Sequence, residues 1–245
     1  MPDDPAVQPF NRDVSSNTGY LYTTNARLSS VLANQRLTSA ALQSVDFRNK
    51  RVLDIGCGDG AYTVEIFDAS GPQILCGIDP AANAIAAAKE RAGMRQITFA
   101  VGSSYHLPYE SNSFDLAHIR GVLHHLDNPR DAMREALRAA PTVIIIEPNG
   151  YNPVLKLLER FSKYHRDHGE KSYSPHVLDQ WTGKLGARVT SRSFAGLVPF
   201  FFPDALARML KVFEPYVERL PLFRQLCCAV YVQVARRFGE EFAHP

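Results

Sequence analysis

A glycine-rich loop follows an apolar segment, and its distance from a later carboxylate predicts a nucleotide-type ligand. The apolar segment 52–55 leads directly into Gly56, Gly58 and Gly60. Glycines permit a tight turn and a close approach of a ligand to the backbone. Asp79 lies 19 residues after Gly60, the spacing at which a carboxylate meets the ribose hydroxyls of an adenosine ligand. Because a carboxylate would repel a 2′-phosphate, the sequence predicts an unphosphorylated ribose.

Two further carboxylates help to decide which adenosine ligand the loop prefers. Asp54 precedes the loop and Asp59 lies within it. A pyrophosphate beside these carboxylates would be repelled, whereas a ligand with a sulfonium and an ammonium group would be attracted. The pattern favours a cationic adenosyl cofactor. An NAD-dependent oxidoreductase is the first alternative, and a cofactor-binding module without catalysis is the second.

Three residues farther along the chain are candidates for moving a proton. His124 and His125 follow one apolar segment, and Glu147 ends the next. A neutral imidazole near pH 7 is suited to removing a proton, and a carboxylate orients an imidazole or binds a substrate. These residues are therefore the predicted catalytic group. The alternatives are a helix start for the two histidines and a loop-anchoring carboxylate for Glu147.

The elements that must position these residues alternate between strand and helix. Strands are predicted at 51–55, 74–78, 97–101, 114–119, 143–146, 189–194 and 229–235. Helices are predicted at 25–45, 61–69, 80–92 and 129–140, with two more starting at Pro153 and Pro175. This alternation predicts a Rossmann-like α/β fold, with a mostly parallel sheet between helices. Ligands of such sheets bind beyond the carboxyl ends of the strands.

The expected chain organisation is one domain with additions at its edges. Residues 1–19 are polar and are predicted to be a flexible arm, followed by an N-terminal cap helix over 20–48. The cofactor-binding core is expected over 49–196, and the last strand with a tail over 227–245. Between them, residues 197–226 form an insertion rich in Phe, Leu and Pro. Because no ordinary crossover helix joins the last two strands, the final strand is expected to be antiparallel.

Three motifs together resemble a known family. They are VLDIGCGDG at 52–60, GIDP at 77–80 and FDLAHIRGVLHHL at 114–126. In this order and at these separations they resemble the cofactor site of class I S-adenosylmethionine-dependent methyltransferases. The closer likeness is to the small-molecule branch, with its ubiquinone-pathway and sugar O-methyltransferases. The resemblance covers roughly residues 51–147.

The resemblance implies a role for each residue of the cofactor site. The three loop glycines would line the methionine portion, and Asp54 would orient its amino group. Asp79, followed by Pro80 in the same motif, would hold the ribose hydroxyls. The segment Ser103, Ser104 and Tyr105 would contact adenine, with serine at a position where the family often has an acidic residue. The main-chain carbonyl of Arg120 would accept from the cofactor's ammonium group.

The resemblance also indicates where an acceptor would bind. In similar enzymes an N-terminal helix closes over the cofactor, so Tyr20 or Tyr22 would cover the methyl group and Arg27 or Arg36 would meet the carboxylate. Phe200 and Phe201 are expected in the acceptor pocket, with the 197–226 insertion as a lid on the acceptor side. The same apolar segment is also a candidate contact between two copies of the chain in a homodimer.

Composition narrows the function further. The formal net charge of +2 and the absence of a basic stripe argue against nucleic acid as a partner. No signal peptide or run of 18 apolar residues is present, and the four cysteines form no C-x-x-C pair, so a cytoplasmic protein is expected. His165 and His168 are expected to be solvated loop residues, and no metal is predicted. The expected activity is methyl transfer to an O or N atom of a small, partly apolar acceptor.

Overall fold

A computed structural model describes residues 7–17, 19–161 and 171–238. Within them, the chain forms one seven-stranded sheet flanked by helices. The strands are β1 (Arg51–Ile55), β2 (Ile74–Asp79), β3 (Ile97–Val101), β4 (Leu116–Arg120), β5 (Thr142–Pro148), β6 (Ala187–Ala195) and β7 (Val230–Arg237). The helices are α1 (Gln8–Asn17), α2 (Leu21–Thr24), α3 (Leu28–Ser44), α4 (Ala61–Ser70), α5 (Ala82–Ala92), α6 (Pro129–Ala139), α7 (Pro153–Phe161), α8 (Pro175–Lys184), α9 (Asp204–Arg219) and α10 (Pro221–Cys227).

The strand order is β3-β2-β1-β4-β5-β7-β6, which confirms the Rossmann-like prediction. The first five strands are parallel, and β7 runs antiparallel between β5 and β6. The chain order reverses between β1 and β4, which makes their carboxyl ends the switch point where ligands of such sheets bind. The loop after β1, the end of β2 and the turn after β4 therefore meet at one edge.

Alternate residues of the strands divide the core between the two faces of the sheet. Leu53 packs in the cluster that contains Met133 of α6 and Leu178 of α8. Val52 packs in the cluster that contains Leu37 of α3 and Ile66 of α4. The middle of β5 is almost completely buried, as expected for a strand with helices on both faces. Helices packed on both faces thus fix the strands whose carboxyl ends form this edge.

The N-terminal segment differs from its prediction. Gln8–Asn17 form helix α1, so the expectation of a flexible arm over residues 1–19 is wrong for this part. Val7 and Val14 are buried against Ala81 and Ala84, at the start of α5. The cap helix expected over 20–48 consists of the short helix α2 and the longer helix α3. The N-terminus therefore lies along the helix that follows β2.

The insertion between the last two strands forms α9 and α10 and packs on α3. Arg36 pairs with Glu218, with 2.6 Å between Nη2 and Oε2. The hydroxyls of Ser29 and Ser30 donate to the carbonyl of Phe200 at 2.9 and 3.0 Å. The acceptor-side lid role of 197–226 stays a prediction.

His165 and His168, which were expected to be solvated loop residues, lie outside the described residues. No helix that the structure describes is long and apolar enough to cross a membrane.

Gly60 offers a test of how tightly the loop after β1 is packed. Its φ is 75°, and a Cβ there would lie 2.8 Å from Cβ of Ala88 on α5. We expect Gly60→Ala to lower the free energy of unfolding by about 3 kcal/mol, from backbone strain and overpacking. Gly183→Ala is the matched control, since a Cβ there meets nothing within 4 Å and helix α8 gains up to about 1 kcal/mol. Equal unfolding free energies in urea for the two variants would contradict this packing.

Candidate active site

Neighbouring side chains lie so close to the glycine loop that no Cβ fits at Gly56 or Gly58. A Cβ on Gly58 would lie 2.7 Å from Cε2 of Tyr20, and one on Gly56 would lie 2.3 Å from Cγ2 of Val122. The loop thus joins the N-terminal segment on one side and the turn after β4 on the other. The loop lies at the switch point of the sheet, and its contact with a cofactor stays a prediction.

Asp79 connects the end of β2 to this loop. Its Oδ2 accepts from the Gly58 backbone N at 3.0 Å, and its Oδ1 accepts from the Ala81 N at 2.8 Å. Burial raises the pKa of the Asp79 carboxyl to about 6, against the two backbone hydrogen bonds that lower it. Each oxygen retains a lone pair for another donor. The contact of this carboxylate with ribose hydroxyls stays a prediction.

Asp54 has a protein partner on each of its oxygens. Oδ1 lies 2.8 Å from Nδ1 of His118, and Oδ2 accepts from the hydroxyl of Thr63. Asp54 and His118 are direct cross-strand neighbours in the register of β1 and β4. The structure therefore uses Asp54 to join β1, β4 and α4. Its role toward a cofactor's amino group stays a prediction.

His118 is a buried polar residue that the sequence interpretation missed. It is 1% exposed, and its Nε2 has no hydrogen-bond partner among the described residues. A histidine inside an otherwise apolar strand segment was the available signal. It did not reveal the partner, which lies on another strand.

Asp59 does not face a ligand as the sequence argument assumed. Its Oδ2 pairs with Nη2 of Arg91 at 2.9 Å and accepts from the Tyr20 backbone N at 3.2 Å and from the hydroxyl of Thr23. The side chain is buried. Its charge is thus offset by Arg91, and the electrostatic argument against a pyrophosphate is wrong for this residue. Asp59 instead fastens the segment before α3 to the glycine loop.

Tyr20 packs against the glycine loop at Gly58, and its role as a cover over a methyl group stays a prediction. Burial and the nearby Asp79 and Asp59 carboxylates raise the pKa of its phenol, so the hydroxyl stays protonated. Phe10 of α1 contacts the Tyr20 ring edge-on, with 6.4 Å between ring centroids. The side chain of Tyr22 lies outside the described residues.

Arg120, at the end of β4, directs its guanidinium toward α3 and α4. The guanidinium carbon lies 3.4 Å from the centroid of the Tyr62 ring. Nη1 donates to the Thr38 hydroxyl at 2.9 Å, and Nη2 donates to Oδ1 of Asn34 at 3.2 Å. Burial lowers its pKa. The sequence interpretation assigned a role only to the main-chain carbonyl and missed this cation beside the loop.

The two other arginines considered for a ligand carboxylate are placed differently. Arg36 is paired with Glu218 of the insertion, so the structure does not support that role for it. Arg27 is exposed at the start of α3.

The predicted adenine-contacting segment forms the turn after β3. Ser103 Oγ accepts from the Tyr105 backbone N at 3.2 Å, and Ser104 is buried. The Gly102 N donates to the Asp79 carbonyl at 3.0 Å, which ties this turn to the end of β2. Pro80 is exposed. The segment thus borders Asp79, and its contact with adenine stays a prediction.

His124 and Glu147 are brought together by the structure. Nδ1 of His124 lies 2.7 Å from Oε2 of Glu147. Glu147 is fully buried, and Oε1 accepts from the backbone N of Val122 and of Leu123, each at 2.8 Å. An ionised carboxylate can only accept hydrogen bonds. Nδ1 of His124 therefore carries the proton of its hydrogen bond to Glu147. Nε2 is then the basic nitrogen of the neutral ring.

His125 lies beside this pair. The His124 and His125 ring centroids are 3.9 Å apart, and Phe10 contacts His125 edge-on at 5.1 Å. Helix α1 therefore extends from the start of α5 to the turn after β4.

The predicted substrate residues Phe200 and Phe201 lie at the start of the insertion, where Phe201 is 54% exposed. Their contact with an acceptor stays a prediction.

In comparisons with known proteins, the core of the chain is similar to methyltransferases. Residues 53–142 match the family model described as a methyltransferase domain. Demethylmenaquinone methyltransferase of Staphylococcus aureus is 30% identical over 105 residues, which cover 42% of this chain and 41% of that protein. The tRNA U34 carboxymethyltransferase of Desulfotalea psychrophila is 27% identical over 106 residues, covering 41% of this chain and 33% of that protein. The chain thus spans less than half the length of these curated relatives.

A solved structure shows the same fold over most of the chain. Magnesium protoporphyrin IX methyltransferase of Synechocystis PCC 6803, solved with bound SAH, superposes with a TM-score of 0.61 at 14% identity. The match covers 85% of this chain and 84% of that chain.

The hydrogen bonds on Glu147 predict a measurable contribution to stability. We expect Glu147→Gln to lower the free energy of unfolding by about 1–3 kcal/mol, because an amide nitrogen would face backbone donors that the carboxylate accepts. Glu90→Gln on the exposed surface of α5 is the control and should change it by less than about 0.5 kcal/mol. Urea denaturation measures both. An unchanged Glu147→Gln protein would show that this carboxylate does not hold the turn.

Proposed function

We propose that this chain, whose residues 53–142 match a methyltransferase domain model, transfers a methyl group from S-adenosylmethionine to an O or N atom of a small, partly apolar acceptor. The observation that carries the proposal is the His124–Glu147 pair at the ends of β4 and β5, beside the glycine loop and Asp79. One edge of the sheet then offers a cofactor cradle and a base next to each other.

The residues at this edge fit the proposed cofactor. The Asp79 carboxylate would accept from the ribose hydroxyls, and the backbone of the three loop glycines would lie along the methionine portion. The Arg120 carbonyl would accept from the ammonium group, while its guanidinium supplies positive charge toward the carboxylate. Tyr20 would cover the loop from the N-terminal side. When bound, the cofactor supplies the activated methyl group, so the protein supplies position and proton handling.

His124 is the favoured base for a hydroxyl acceptor. With Nδ1 donating to Glu147, Nε2 would take the proton of the acceptor hydroxyl. The buried Glu147 carboxylate stabilises the imidazolium that results. Its bonds to the turn backbone also fix the position of the ring. His125 and Phe10 close the side of this pair that faces α1.

A small acceptor is favoured over a polynucleotide. The relatives are named for acting on demethylmenaquinone in one case and on tRNA in the other. A formal net charge of +2 on 245 residues supports the first class. The four free cysteines support a reducing cytoplasm as the proposed location, and a homodimer remains a proposal.

The raised pKa of Asp79 predicts how cofactor affinity depends on pH. Above pH 6 the carboxylate is ionised and accepts from the ribose; below pH 6 it is protonated and loses acceptor capacity. Affinity for S-adenosylhomocysteine should therefore be constant above about pH 7 and fall about tenfold by pH 5. Calorimetric titration of Asp79→Asn should give weaker binding at pH 8 and a flat profile. A wild-type profile as flat as that of the variant would remove Asp79 from the ribose contact.

Activity tests both the reaction and the base. Methyl-labelled S-adenosylmethionine incubated with the protein and a metabolite extract should give a labelled product, which identifies the acceptor. With a hydroxyl acceptor, His124→Ala should lower turnover by about 10²–10⁴-fold while cofactor affinity stays constant. His176→Ala, an exposed histidine on α8, is the control.

Two outcomes would contradict these assignments. Full turnover in both His124→Ala and His125→Ala would exclude general-base catalysis by this pair and leave positioning alone to explain the rate. Bound cofactor with no labelled product from any extract would favour the binding module without catalysis.

A further inference from the structure

Helices α9 and α10 of the insertion present large apolar side chains to the outside of the molecule. On α9, Met209, Val212, Phe213 and Tyr216 are 49–66% exposed. On α10, Leu222 and Phe223 are 66% and 52% exposed. An apolar surface of this extent marks an interaction site rather than scattered exposed residues.

Two carboxylates of α9, Glu214 and Glu218, point the other way, into the protein. Glu214 is buried and accepts from the Leu197 backbone N at 3.0 Å, and it pairs with Lys211. Glu218 pairs with Arg36 of α3 and accepts from the Gly196 N at 2.9 Å. A helix on a water-exposed surface normally turns its apolar side inward. In α9 the inward side holds Glu214 and Glu218 beside half-buried leucines, while several of its largest apolar side chains face outward.

Helix α7 continues the same surface. Leu157 and Phe161 are 59% and 66% exposed. The loop between β5 and α7 is fixed to the end of α10 and the residue after it, because Nδ2 of Asn149 donates to the carbonyls of Gln225 and Cys228 at 2.8 and 3.0 Å. We name the outward faces of α7, α9 and α10 the apolar face. Asn149 follows β5 directly, so this face adjoins the edge of the sheet that holds Glu147.

The charges around the apolar face are mainly positive. Among the described residues of these three helices, the exposed charged side chains are Lys156, Arg160, Arg208, Arg219 and Asp204. Four of these five are cations, of which Lys156 is paired with Glu159 of α7, and the carboxylates Glu214 and Glu218 are turned inward. Apolar and aromatic side chains bordered by Lys and Arg are typical of helices that lie in the interface of an anionic bilayer.

A cavity beside the apolar face has the chemistry of an oxyanion site. It has a volume of about 470 Å³ between α3 and the two insertion helices, and Arg36, Arg219, Arg224 and Glu218 are among its lining residues. Nη1 of Arg36 and Nε of Arg224 are buried and have no hydrogen-bond partner among the described residues. Three guanidinium groups against one carboxylate favour an anion, and phosphate oxygens match guanidinium donors.

We propose that the apolar face docks on a bilayer that contains anionic phospholipids, with a headgroup phosphate in the arginine-lined cavity. A second copy of the chain fits this face less well, because a two-fold interface would place the cations of both copies together. Docking would turn the edge of the sheet beside Glu147 toward the bilayer. The proposal does not depend on methyl transfer, since the surface and the cavity exist without it.

Sedimentation with vesicles tests this directly. The full chain should bind vesicles of phosphatidylcholine with 30% phosphatidylglycerol at least tenfold more strongly than pure phosphatidylcholine vesicles, and 0.5 M salt should weaken the binding. The double variant Phe213→Asp with Phe223→Asp should lose binding at least tenfold, and so should Arg219→Glu. Met94→Asp and Arg130→Glu are matched controls at exposed positions away from the face and should bind as the wild type does.

Other outcomes would overturn the proposal. Circular dichroism and thermal melting would confirm that the variants, all at exposed positions, remain folded. Equal binding to neutral and anionic vesicles, or none to either, would refute the docking. A wild-type dimer in light scattering that becomes monomeric in the Phe213→Asp, Phe223→Asp variant would assign the face to self-association. Inorganic phosphate that binds with an affinity equal to that of the vesicles would assign the cavity to a free anion.

Discussion

The Asp79 carboxylate is the contact on which the arrangement of the candidate site depends. Through its two oxygens it holds the glycine loop after β1 and the first turn of α5. Its carbonyl receives the Gly102 N from the turn after β3. Three neighbouring strand ends are thus joined at one buried residue, whose pKa of about 6 reflects the cost of burying a charge there. Two backbone donors offset part of that cost and fix the orientation of the carboxylate.

Glu147 repeats this construction on the other side of the switch point. It ends β5 and accepts backbone N–H groups from the turn after β4, as Asp79 ends β2 and accepts one from the loop after β1. Each buried carboxylate therefore fixes the loop of the adjacent strand. In the case of Glu147, the fixed turn carries His124, and the same carboxylate selects which ring nitrogen is basic. Stability and the proposed chemistry rest on the same hydrogen bonds.

The sequence predicted the sheet well because each strand carries its own apolar run and its own boundary signals. Predicted strand ends agree with the structure to within about two residues, including the antiparallel last strand. The prediction from sequence failed where contacts with residues distant along the chain decide the structure. Helix α1 has few apolar residues, and it is its contact with α5 that buries Val14. Asp59 is neutralised by Arg91, far along the chain. The composition of the 197–226 insertion showed that it is apolar, but only the inward pairs of Glu214 and Glu218 show which side of α9 faces outward.

The central claim is that the edge formed by the glycine loop and Asp79 binds an S-adenosyl cofactor. Isothermal titration calorimetry of the wild-type chain at pH 8 with S-adenosylhomocysteine and, separately, with NAD tests it most directly. We expect one saturable site for S-adenosylhomocysteine with a Kd in the micromolar range, on the order of −8 kcal/mol, and no heat of binding for NAD. Saturable binding of NAD together with no binding of S-adenosylhomocysteine or S-adenosylmethionine would contradict it.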